Sequence, residues 1–390
     1  MLAANREQKE QKVRMKKFDD QNMPVSVKFS RDASREFANE LKQRVNAYFA
    51  ENDLSQKANA QMVFKTFFML ALTFVPYGLI MSNQFSPWQM LGLAIIMGVG
   101  VAGSGFSIAH DALHGAYTGS PKLNAFLGMS FEINGASSYL WKITHNIIHH
   151  TYTNIQGIDE DLEVSPLIRL SPTSEHKPIH RYQHWYVPFA YSLTTLFWVF
   201  VKDYEQLMRR DLGPYKNIVH PRTEVIKLIL MKLFYYSYMI VLPLLLLDVA
   251  WWQFLIGFAA MHITAGLILS LVFQLAHVVE GTEHVAAAGE NQMIEDAWLV
   301  HEMKTTANFA RGNKLLCWYV SGLNFQIEHH LFPKMCSVHY PDISPIVQEV
   351  AEKYDVPYNL HPTFWGAVRS HWKMLKLFGN PDAVPSGALA

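Results

Sequence analysis

No Asp, Glu, Lys or Arg occurs between residues 66 and 109, and this uncharged run restricts the fold more than any other feature. A helix needs about 20 apolar residues to cross a bilayer, so the run holds two crossings, separated by a polar turn at residues 82–87. A second apolar pair follows, and only 17% of the chain is charged, against about 25% in soluble proteins. The sequence therefore predicts an all-α, multi-pass membrane protein with four transmembrane helices in two hairpins, at about residues 66–82, 88–109, 228–247 and 252–276.

Lys and Arg are concentrated in residues 1–65, in residues 202–227 and after residue 300, whereas the two short turns near residues 84 and 249 contain neither. By the positive-inside rule, both termini and the histidine-bearing segments face the cytoplasm. The N-terminus does not have the layout of a signal peptide. We expect an integral protein of a bacterial inner membrane rather than the endoplasmic reticulum, with the lipid bilayer and no nucleic acid as a partner.

The rest of the chain is divided by its polarity. Residues 1–60 are predicted to form a polar lead-in and an amphipathic helix, because apolar residues recur there at i+4 spacing: Phe37, Leu41, Val45 and Phe49. We expect the membrane domain over residues 61–376 and a disordered tail over residues 377–390. No second, soluble domain is predicted.

Three histidine clusters stand beside the apolar segments: His110-Asp-Ala-Leu-His114, His145-Asn-Ile-Ile-His149-His150 and Gln326-Ile-Glu-His329-His330. A neutral imidazole nitrogen binds iron, zinc, copper or nickel. Seven histidines are too many ligands for one ion. The clusters therefore predict a two-metal centre, held almost entirely by nitrogen, in a histidine-rich cap on the cytoplasmic side.

The spacing within each cluster suggests how the ligands are shared. On a helix, residues i and i+4 lie on one face, so His110 with His114, and His145 with His149, are each expected to converge on a common point. Neighbouring residues diverge by about 100° around a helix. The tandem histidines of the second and third clusters are therefore expected to reach different ions.

Residues outside these patterns complete the predicted site. His277 ends the fourth apolar segment as His110 ends the second, and this position makes it the expected eighth ligand. Nearby side chains are expected to accept imidazole N–H groups, to orient a ligand or to hold a water: Asp111, Asp159, Asp161, Glu328 and Gln326. For Asp159 and Asp161 the alternative is a solvated acidic loop.

Two further apolar stretches are not expected to cross the membrane. Clusters that share metals must lie on one side, so an even number of crossings must separate them, and residues 228–276 already supply two. Residues 186–201 are therefore predicted to form an interfacial or protein-buried helix. Glu132 and Asn134 make residues 126–141 a poor span.

Two motifs do not carry the function that they suggest. Gly98-Val-Gly100-Val-Ala-Gly103 matches the dinucleotide-binding fingerprint, but it lies inside an apolar span with no strand before it. Small residues there predict close helix packing instead. His301-Glu302-Met-Lys-Thr305 begins like a zinc-protease motif but lacks the second histidine.

The clusters, their order and the hairpin spacing resemble the membrane fatty acid desaturase family over about residues 60–375. Residues 324–333, 305–310 and 151–154 are similar to segments of front-end and related acyl-lipid or acyl-CoA desaturases. The resemblance implies a four-span fold with a cytoplasmic cap, a di-iron centre and an acyl chain threaded into a closed apolar tunnel. It carries the ligand role to His110, His114, His145, His149, His150, His329 and His330, and by position to His277.

The same resemblance implies the reaction. Two iron ions, dioxygen as co-substrate and two external electrons convert a fatty acyl-CoA or acyl-lipid into a product with a cis double bond. Many eukaryotic members carry a fused cytochrome b5 domain with a His-Pro-Gly-Gly motif, which this sequence does not contain. Electrons are therefore expected from a separate ferredoxin, cytochrome b5 or flavoprotein reductase. The residues leave open the bond position, the chain length and the acyl carrier.

Two other functions are compatible with the same clusters. A fatty acyl hydroxylase of the same superfamily is the nearest, because one radical intermediate can lose hydrogen or take up oxygen. A membrane metal transporter or haem protein is the non-enzymatic alternative. A transporter should carry its ligands near mid-bilayer, and a haem protein should place single histidines on facing spans. Clusters beyond the ends of the spans favour the enzyme.

Overall fold

Four helices are long and apolar enough to cross a membrane in the structure, a computed structural model that describes residues 27–30, 34–162, 165–286 and 293–381. We call them the first to fourth spans: Ala60–Met81, Pro87–Leu113, Arg222–Leu246 and Trp251–His277. Each lies on one of the predicted segments. Large apolar side chains on the first and third spans are exposed, such as Phe67 at 68% and Leu245 at 75%. In a bilayer these side chains would contact lipid.

The two short turns lie side by side. The Asn83 side chain donates to the Leu246 carbonyl over 2.7 Å and accepts from the Asp248 N–H over 3.0 Å. Since one turn begins the second span and the other begins the fourth, both of these spans end at the opposite side of the bundle. Those two ends carry His110 and His277.

Glycines let the second span approach its neighbours closely. A Cβ atom at Gly98 would lie 2.5 Å from the Met261 carbonyl oxygen of the fourth span, and one at Gly100 would lie 2.6 Å from the Leu72 carbonyl carbon of the first. Small residues commonly permit such contact between membrane helices. The glycine motif therefore serves helix packing, as the sequence predicted.

The described residues beyond the histidine-bearing ends of the spans form a helical cap. Helix Arg35–Glu51 buries the four apolar residues whose spacing predicted it, in one core with helix Tyr340–Lys353. The chain between the second and third spans breaks into short helices, none long enough to cross a membrane: Pro121–Gly128, Ser130–Ile133, Ser138–Trp141, Gln183–Ser192, Thr194–Phe197 and Asp203–Met208.

The segment at residues 186–201 lies along the fourth span. The Thr195 hydroxyl donates to the His262 carbonyl over 2.9 Å, and the His262 ring contacts both Thr195 and the Tyr235 hydroxyl. Val187 is fully buried, whereas Phe189 is 66% exposed. The segment is thus buried on one face and open on the other, in keeping with the prediction of an interfacial or buried helix.

The remaining elements are short. Two parallel strand pairs join distant parts of the chain: Lys28–Phe29 with Met293–Ile294, and Ala307–Phe309 with Asn359–His361. The other helices are Trp298–Thr305, Lys314–Tyr319, Gln326–Leu331 and Phe364–Phe378, with 3₁₀ turns at Pro178–Tyr182 and Ser337–His339. Four π-helical segments also occur in the described residues: Gly105–His110, Lys142–His149, Trp198–Lys202 and Ser237–Val241.

The predicted terminal segments are only partly described. Residues 1–26 of the lead-in and residues 382–390 of the tail lie outside the described residues. The predicted boundary at residue 377 falls inside helix Phe364–Phe378, so it is too early. The helix continues because Leu375 and Phe378 are buried in an apolar cluster with Val187 and Val278.

Candidate metal centre

The three histidine clusters and His277 meet at one end of the four spans. The first cluster starts at the end of π-helical Gly105–His110, the second lies in π-helical Lys142–His149, and the third lies in helix Gln326–Leu331. The His110 and His329 ring centroids are 4.5 Å apart although 219 residues separate them. The predicted gathering of distant imidazoles is therefore present in the fold.

The ring nitrogens form groups in which the potential ligand atoms lie within 4.8 Å of one another. The first group consists of His110, His114, His145 and His329. The second consists of His149, His277 and His330. His150 belongs with His329 and His330, one from each of the other groups. The tandem histidines 329 and 330 thus divide between two positions.

The two i, i+4 pairs meet in different ways. His110 and His114 belong to the same group of ring nitrogens. The rings of His145 and His149 stack, with centroids 5.1 Å apart, and their Nδ1 atoms lie 3.2 and 3.9 Å from Asp161 Oδ2. The second pair therefore forms a group of its own with Asp161, while each of its histidines also belongs to a different group of ring nitrogens.

Three aspartates fix the orientation of three rings. His110 Nδ1 donates to Asp111 Oδ1 over 3.0 Å, and His149 Nδ1 donates to Asp159 Oδ2 over 3.0 Å. The third contact is that of Asp161 with His145. An ionised carboxylate can only accept, so the proton lies on Nδ1 and the Nε2 lone pair is left for a metal. Asp159 is 1% exposed, which excludes the solvated-loop alternative for this residue.

Glu302 is a site residue that the sequence analysis missed. Its Oε2 lies 2.7 Å from His330 Nδ1 and accepts from the Thr153 hydroxyl over 2.8 Å. Glu302 was considered only as part of an incomplete protease motif. The only local signal in the sequence for a role of Glu302 in the site was its position directly after His301. Two other ligand candidates also have Nδ1 partners: Tyr340 Oη for His329, and the Thr305 carbonyl for His277.

Two predicted neighbours of the ligands do not contact them. Glu328 Oε2 accepts from Asn308 Nδ2 over 2.7 Å and Oε1 accepts from the Tyr358 hydroxyl over 2.7 Å. Its helical position, next to His329, turns it to another face of the helix. The Gln326 amide donates to the Leu323 carbonyl over 2.7 Å, which caps the preceding turn. The predicted role of Glu328 as an acceptor of imidazole N–H groups was wrong, and Gln326 does not contact a histidine that it could orient. That Gln326 holds a water stays a prediction.

The Nε2 atoms are the chemically unusual feature of the cluster. Buried polar atoms in proteins almost always have a hydrogen-bond partner. Within the described residues, these Nε2 atoms have none: those of His114, His145, His149, His150, His277 and His330. His110 Nε2 and His329 Nε2 face each other over 3.2 Å. Metal ions would satisfy all of these lone pairs at once, so the residues present fit a metal centre.

The protonation of the rings also suits metal binding. Burial and neighbouring imidazoles lower the pKa of His114, His145, His150, His329 and His330 well below the usual value. These rings are therefore neutral at pH 7, and the neutral ring is the ligand form. For His149, burial opposes the cation, but the charges of Asp159 and Asp161 and the hydrogen bond that His149 donates to Asp159 raise the pKa to about 9. A metal at His149 must therefore displace a proton.

A cavity of about 400 Å³, which we call the large cavity, opens beside the cluster. His145, His149 and His277 contribute to its inner wall, and the rest of the lining is mostly apolar. A smaller cavity of about 40 Å³ lies next to His110. The two cavities share four lining residues: Trp141, Trp198, Leu269 and Phe273. These side chains form a wall between two apolar spaces that both reach the histidines.

The fold and the site together define a helical membrane protein whose buried histidine cluster is compatible with a metal centre and borders an apolar cavity. The chain belongs to the fatty acid desaturase family, because the sequence model of that family, described as "Fatty acid desaturase", matches residues 86–362.

Individual relatives support this assignment. The chain is 36% identical to the sn-1 linoleoyl-lipid 6-desaturase of Arthrospira platensis, over 89% of this chain and 94% of that protein. It is 35% identical to the sn-1 linoleoyl-lipid 6-desaturase of Synechocystis, over 91% of this chain and 98% of that protein. It is 33% identical to the acyl-lipid (8-3)-desaturase of Physcomitrium patens, over 93% of this chain and 75% of that protein. The predicted family is therefore confirmed.

Proposed function

We propose that this chain is an acyl-lipid desaturase that places a cis double bond in an acyl chain of a membrane lipid, using dioxygen and two external electrons at a centre of two irons. The observation that carries the proposal is the set of buried Nε2 atoms without partners, gathered into groups beside an apolar cavity. Membership of the desaturase family supports the reaction class. The names of the relatives, which refer to linoleoyl-lipid and acyl-lipid, support the substrate class.

The eight histidines would divide between two irons. One position would use His110, His114, His145 and His329, and the other His149, His277 and His330. His150 would complete the set, because neither of its ring nitrogens has a partner among the described residues. In this assignment every donor is a nitrogen, unlike the Glu-rich sites of soluble di-iron bundles. Asp161 also forms a group with His145 and His149, but it contacts their Nδ1 atoms. The carboxylates here instead orient the rings from behind.

Two irons held by these histidines would supply the oxidant for the overall reaction, in which one hydrogen would leave each of two adjacent methylenes and dioxygen, two electrons and two protons would be consumed, giving a double bond and two waters. The chain's own residues hold the reacting carbons and exclude water. The Trp141 ring stacks on His145 with centroids 4.4 Å apart, and the Phe273 ring lies 5.6 Å from the same histidine. These apolar faces keep bulk water away from the rings that would bind metal.

The large cavity is the proposed place of the acyl chain. Its lining includes Leu162, Ile168 and Phe197, which offer no hydrogen-bonding side chain to a polar ligand. Its mouth includes Leu167 and Phe189, which are 54% and 66% exposed. An apolar mouth between the cap and the spans suits a chain that arrives from a membrane lipid rather than from water.

The electrons are proposed to come from a separate ferredoxin, cytochrome b5 or flavoprotein reductase that docks on the cap. The excess of Lys and Arg outside the two short turns supports a cytoplasmic cap and, with it, a cytoplasmic donor. The similarity to the Arthrospira platensis and Synechocystis proteins, both from bacteria, supports the proposed location in a bacterial inner membrane.

Expression in a host without polyunsaturated lipids tests the proposal. Lipids are extracted, and mass spectrometry locates any new double bond. We expect a new unsaturated acyl chain with the native sequence and none with His149→Ala, at equal amounts of membrane-inserted protein. His284→Ala is the matched control. His284 is 1% exposed, close to the 2% of His149, and its ring nitrogens have no hydrogen-bond partner among the described residues, but it lies outside the histidine groups.

The product decides between the alternatives. A hydroxylated acyl chain instead of an unsaturated one would assign the chain to hydroxylation. An unchanged lipid profile with the native sequence, in membranes supplied with reduced ferredoxin and iron, would contradict the proposed activity. Full product formation by His149→Ala would contradict the ligand assignment.

A further inference from the structure

Lys65 is a buried cation inside the first span. Its side chain is 2% exposed, and it sits among apolar residues of a helix that would face hydrocarbon. An ionisable residue within a membrane span is costly and usually has a functional partner. Among the described residues its Nζ has one hydrogen bond, to Ser321 Oγ over 3.3 Å, and it lies 5.6 Å from the Trp318 ring centroid. One long hydrogen bond is little compensation for a buried ammonium.

A chain of hydrogen bonds leads from Lys65 to the candidate metal centre. Ser321 Oγ lies 3.2 Å from Ser337 Oγ, and the Ser337 hydroxyl donates to Asp111 Oδ2 over 2.9 Å. The other oxygen of Asp111 accepts from His110 Nδ1 over 3.0 Å. Both serines and Asp111 are fully buried, so water does not screen the chain.

The chemistry of the groups fixes the direction of these bonds. An ammonium has donors and no acceptor, so Ser321 Oγ accepts from Lys65 and turns its own hydrogen elsewhere. It can turn it to Ser337 Oγ or to Met62 Sδ at 3.4 Å, and a thioether is a weak acceptor. If the Ser321 hydroxyl donates to Ser337 Oγ, each hydrogen bond in the chain runs from a donor on the Lys65 side to an acceptor on the Asp111 side. That carboxylate is then left with Oδ1 to accept from His110.

We propose that Lys65 is a positioning residue for the metal centre: through Ser321 and Ser337 it holds the Asp111 carboxylate in place, and so keeps the proton of His110 on Nδ1 and its Nε2 directed to the metal. The inference rests on the proposed function, because it requires that His110 binds a metal. It assigns a role in the site to a residue of the first span, which carries none of the histidine clusters.

The test uses the full chain in detergent and measures metal affinity by competition with a chelator, along with metal stoichiometry. Lys65→Met keeps an unbranched side chain of similar length without the charge. We expect it to weaken binding at one of the two metals about 10- to 100-fold, the usual effect of losing a group that orients a ligand. Lys57→Met is the control: among the described residues the Lys57 ammonium donates to the carbonyls of Gly115 and Lys334, and we expect affinity equal to that of the native protein.

A double-mutant cycle separates positioning from simple stabilisation. If Lys65 acts through Asp111, Lys65→Met should have no further effect on metal affinity in the Asp111→Asn background. Equal losses in both backgrounds would overturn the proposal, as would a native affinity in Lys65→Met. Should Lys65→Met fail to fold, Ser337→Ala breaks the same chain with a small truncation, and native affinity in that variant would overturn the proposal. If the native protein binds no pair of metals, the proposed function fails; if only the variants are unaffected, this inference alone fails.

Discussion

Glu302 and Glu328 allow a sharp test of how the histidines are oriented. Both are fully buried glutamates, and Glu328 even lies in the same helix as two candidate ligands. Only Glu302 contacts an imidazole, that of His330. Glu302→Gln and Glu328→Gln keep the size and shape of the side chain and remove its capacity to carry a negative charge. The two replacements are therefore matched in burial and in the change made, and only Glu302→Gln alters a contact with a histidine.

The expected magnitude follows from that contact. His330 Nδ1 lies 2.7 Å from Glu302 Oε2, a short distance typical of a charge-assisted hydrogen bond. Burial raises the pKa of Glu302 well above its usual value in the metal-free protein, and a bound divalent cation would favour the anion again. A hydrogen bond to a charged group contributes roughly 1.5–3 kcal/mol and a neutral one roughly 0.5–1.5. Replacement by the amide should thus cost about 1.4 kcal/mol, or about tenfold in metal affinity.

The assay is chelator competition on purified protein, with the thermal unfolding of the metal-free form measured in parallel. Glu302→Gln should lose about tenfold in the affinity of one metal, whereas Glu328→Gln should keep the native affinity. The free energy of unfolding of the metal-free form should fall by a comparable amount in the two variants, because in each an amide replaces a carboxyl group in a buried hydrogen-bond network. Equal metal affinities in the two variants would refute the argument that the Glu302 carboxylate orients His330.

Three further outcomes follow from the packing and the cavities. Gly98→Ala should lower the free energy of unfolding by about 1–3 kcal/mol, because the new Cβ would clash with the backbone of the fourth span. Gly92→Ala should not lower it, because a Cβ there has no neighbouring atom within 4 Å. The two variants are compared by thermal unfolding in detergent. Phe273→Ala should join the two cavities and change the distribution of product chain lengths or bond positions, and an unchanged distribution would exclude Phe273 as part of the wall. His277→Ala should leave one metal per chain by elemental analysis, with His284→Ala retaining two.

Much of the architecture could be predicted because it depends on local composition. The four spans could be predicted because a helix needs about 20 apolar residues to cross the hydrocarbon core of a bilayer, and runs of this length are visible in the sequence. The helix at Arg35–Glu51 follows from the i+4 spacing of residues such as Phe37 and Leu41. The gathering of the histidines follows from their chemistry, since buried imidazoles in such numbers need metal partners.

The contacts of Asp111, Asp159 and Asp161 with the rings join residues that are close in the sequence, and they were expected. Other supporting contacts could not be predicted, because they join residues that are far apart. Glu302 and His330 are 28 residues apart, and Lys65 and Ser321 are 256 apart. No periodicity links such positions. Glu328 shows the opposite error: adjacency to His329 in the sequence suggested contact, but neighbours on a helix point in different directions. Sequence proximity therefore identified the ligands better than it identified the residues that orient them.

The two histidine-bearing π-helical segments explain how the rings of the second cluster are arranged. In an α-helix each N–H donates to the carbonyl four residues back, whereas His150 N–H donates to the His145 carbonyl, five residues back, over 3.1 Å. The wider turn brings His149 almost directly over His145, so that their rings stack within 21° of parallel. Both then direct Nδ1 to the same acidic loop, while His150 is left to face the third cluster. Since π-helical turns are rare and occur often at functional sites, their presence at both the first and second clusters supports the proposed centre of two metals.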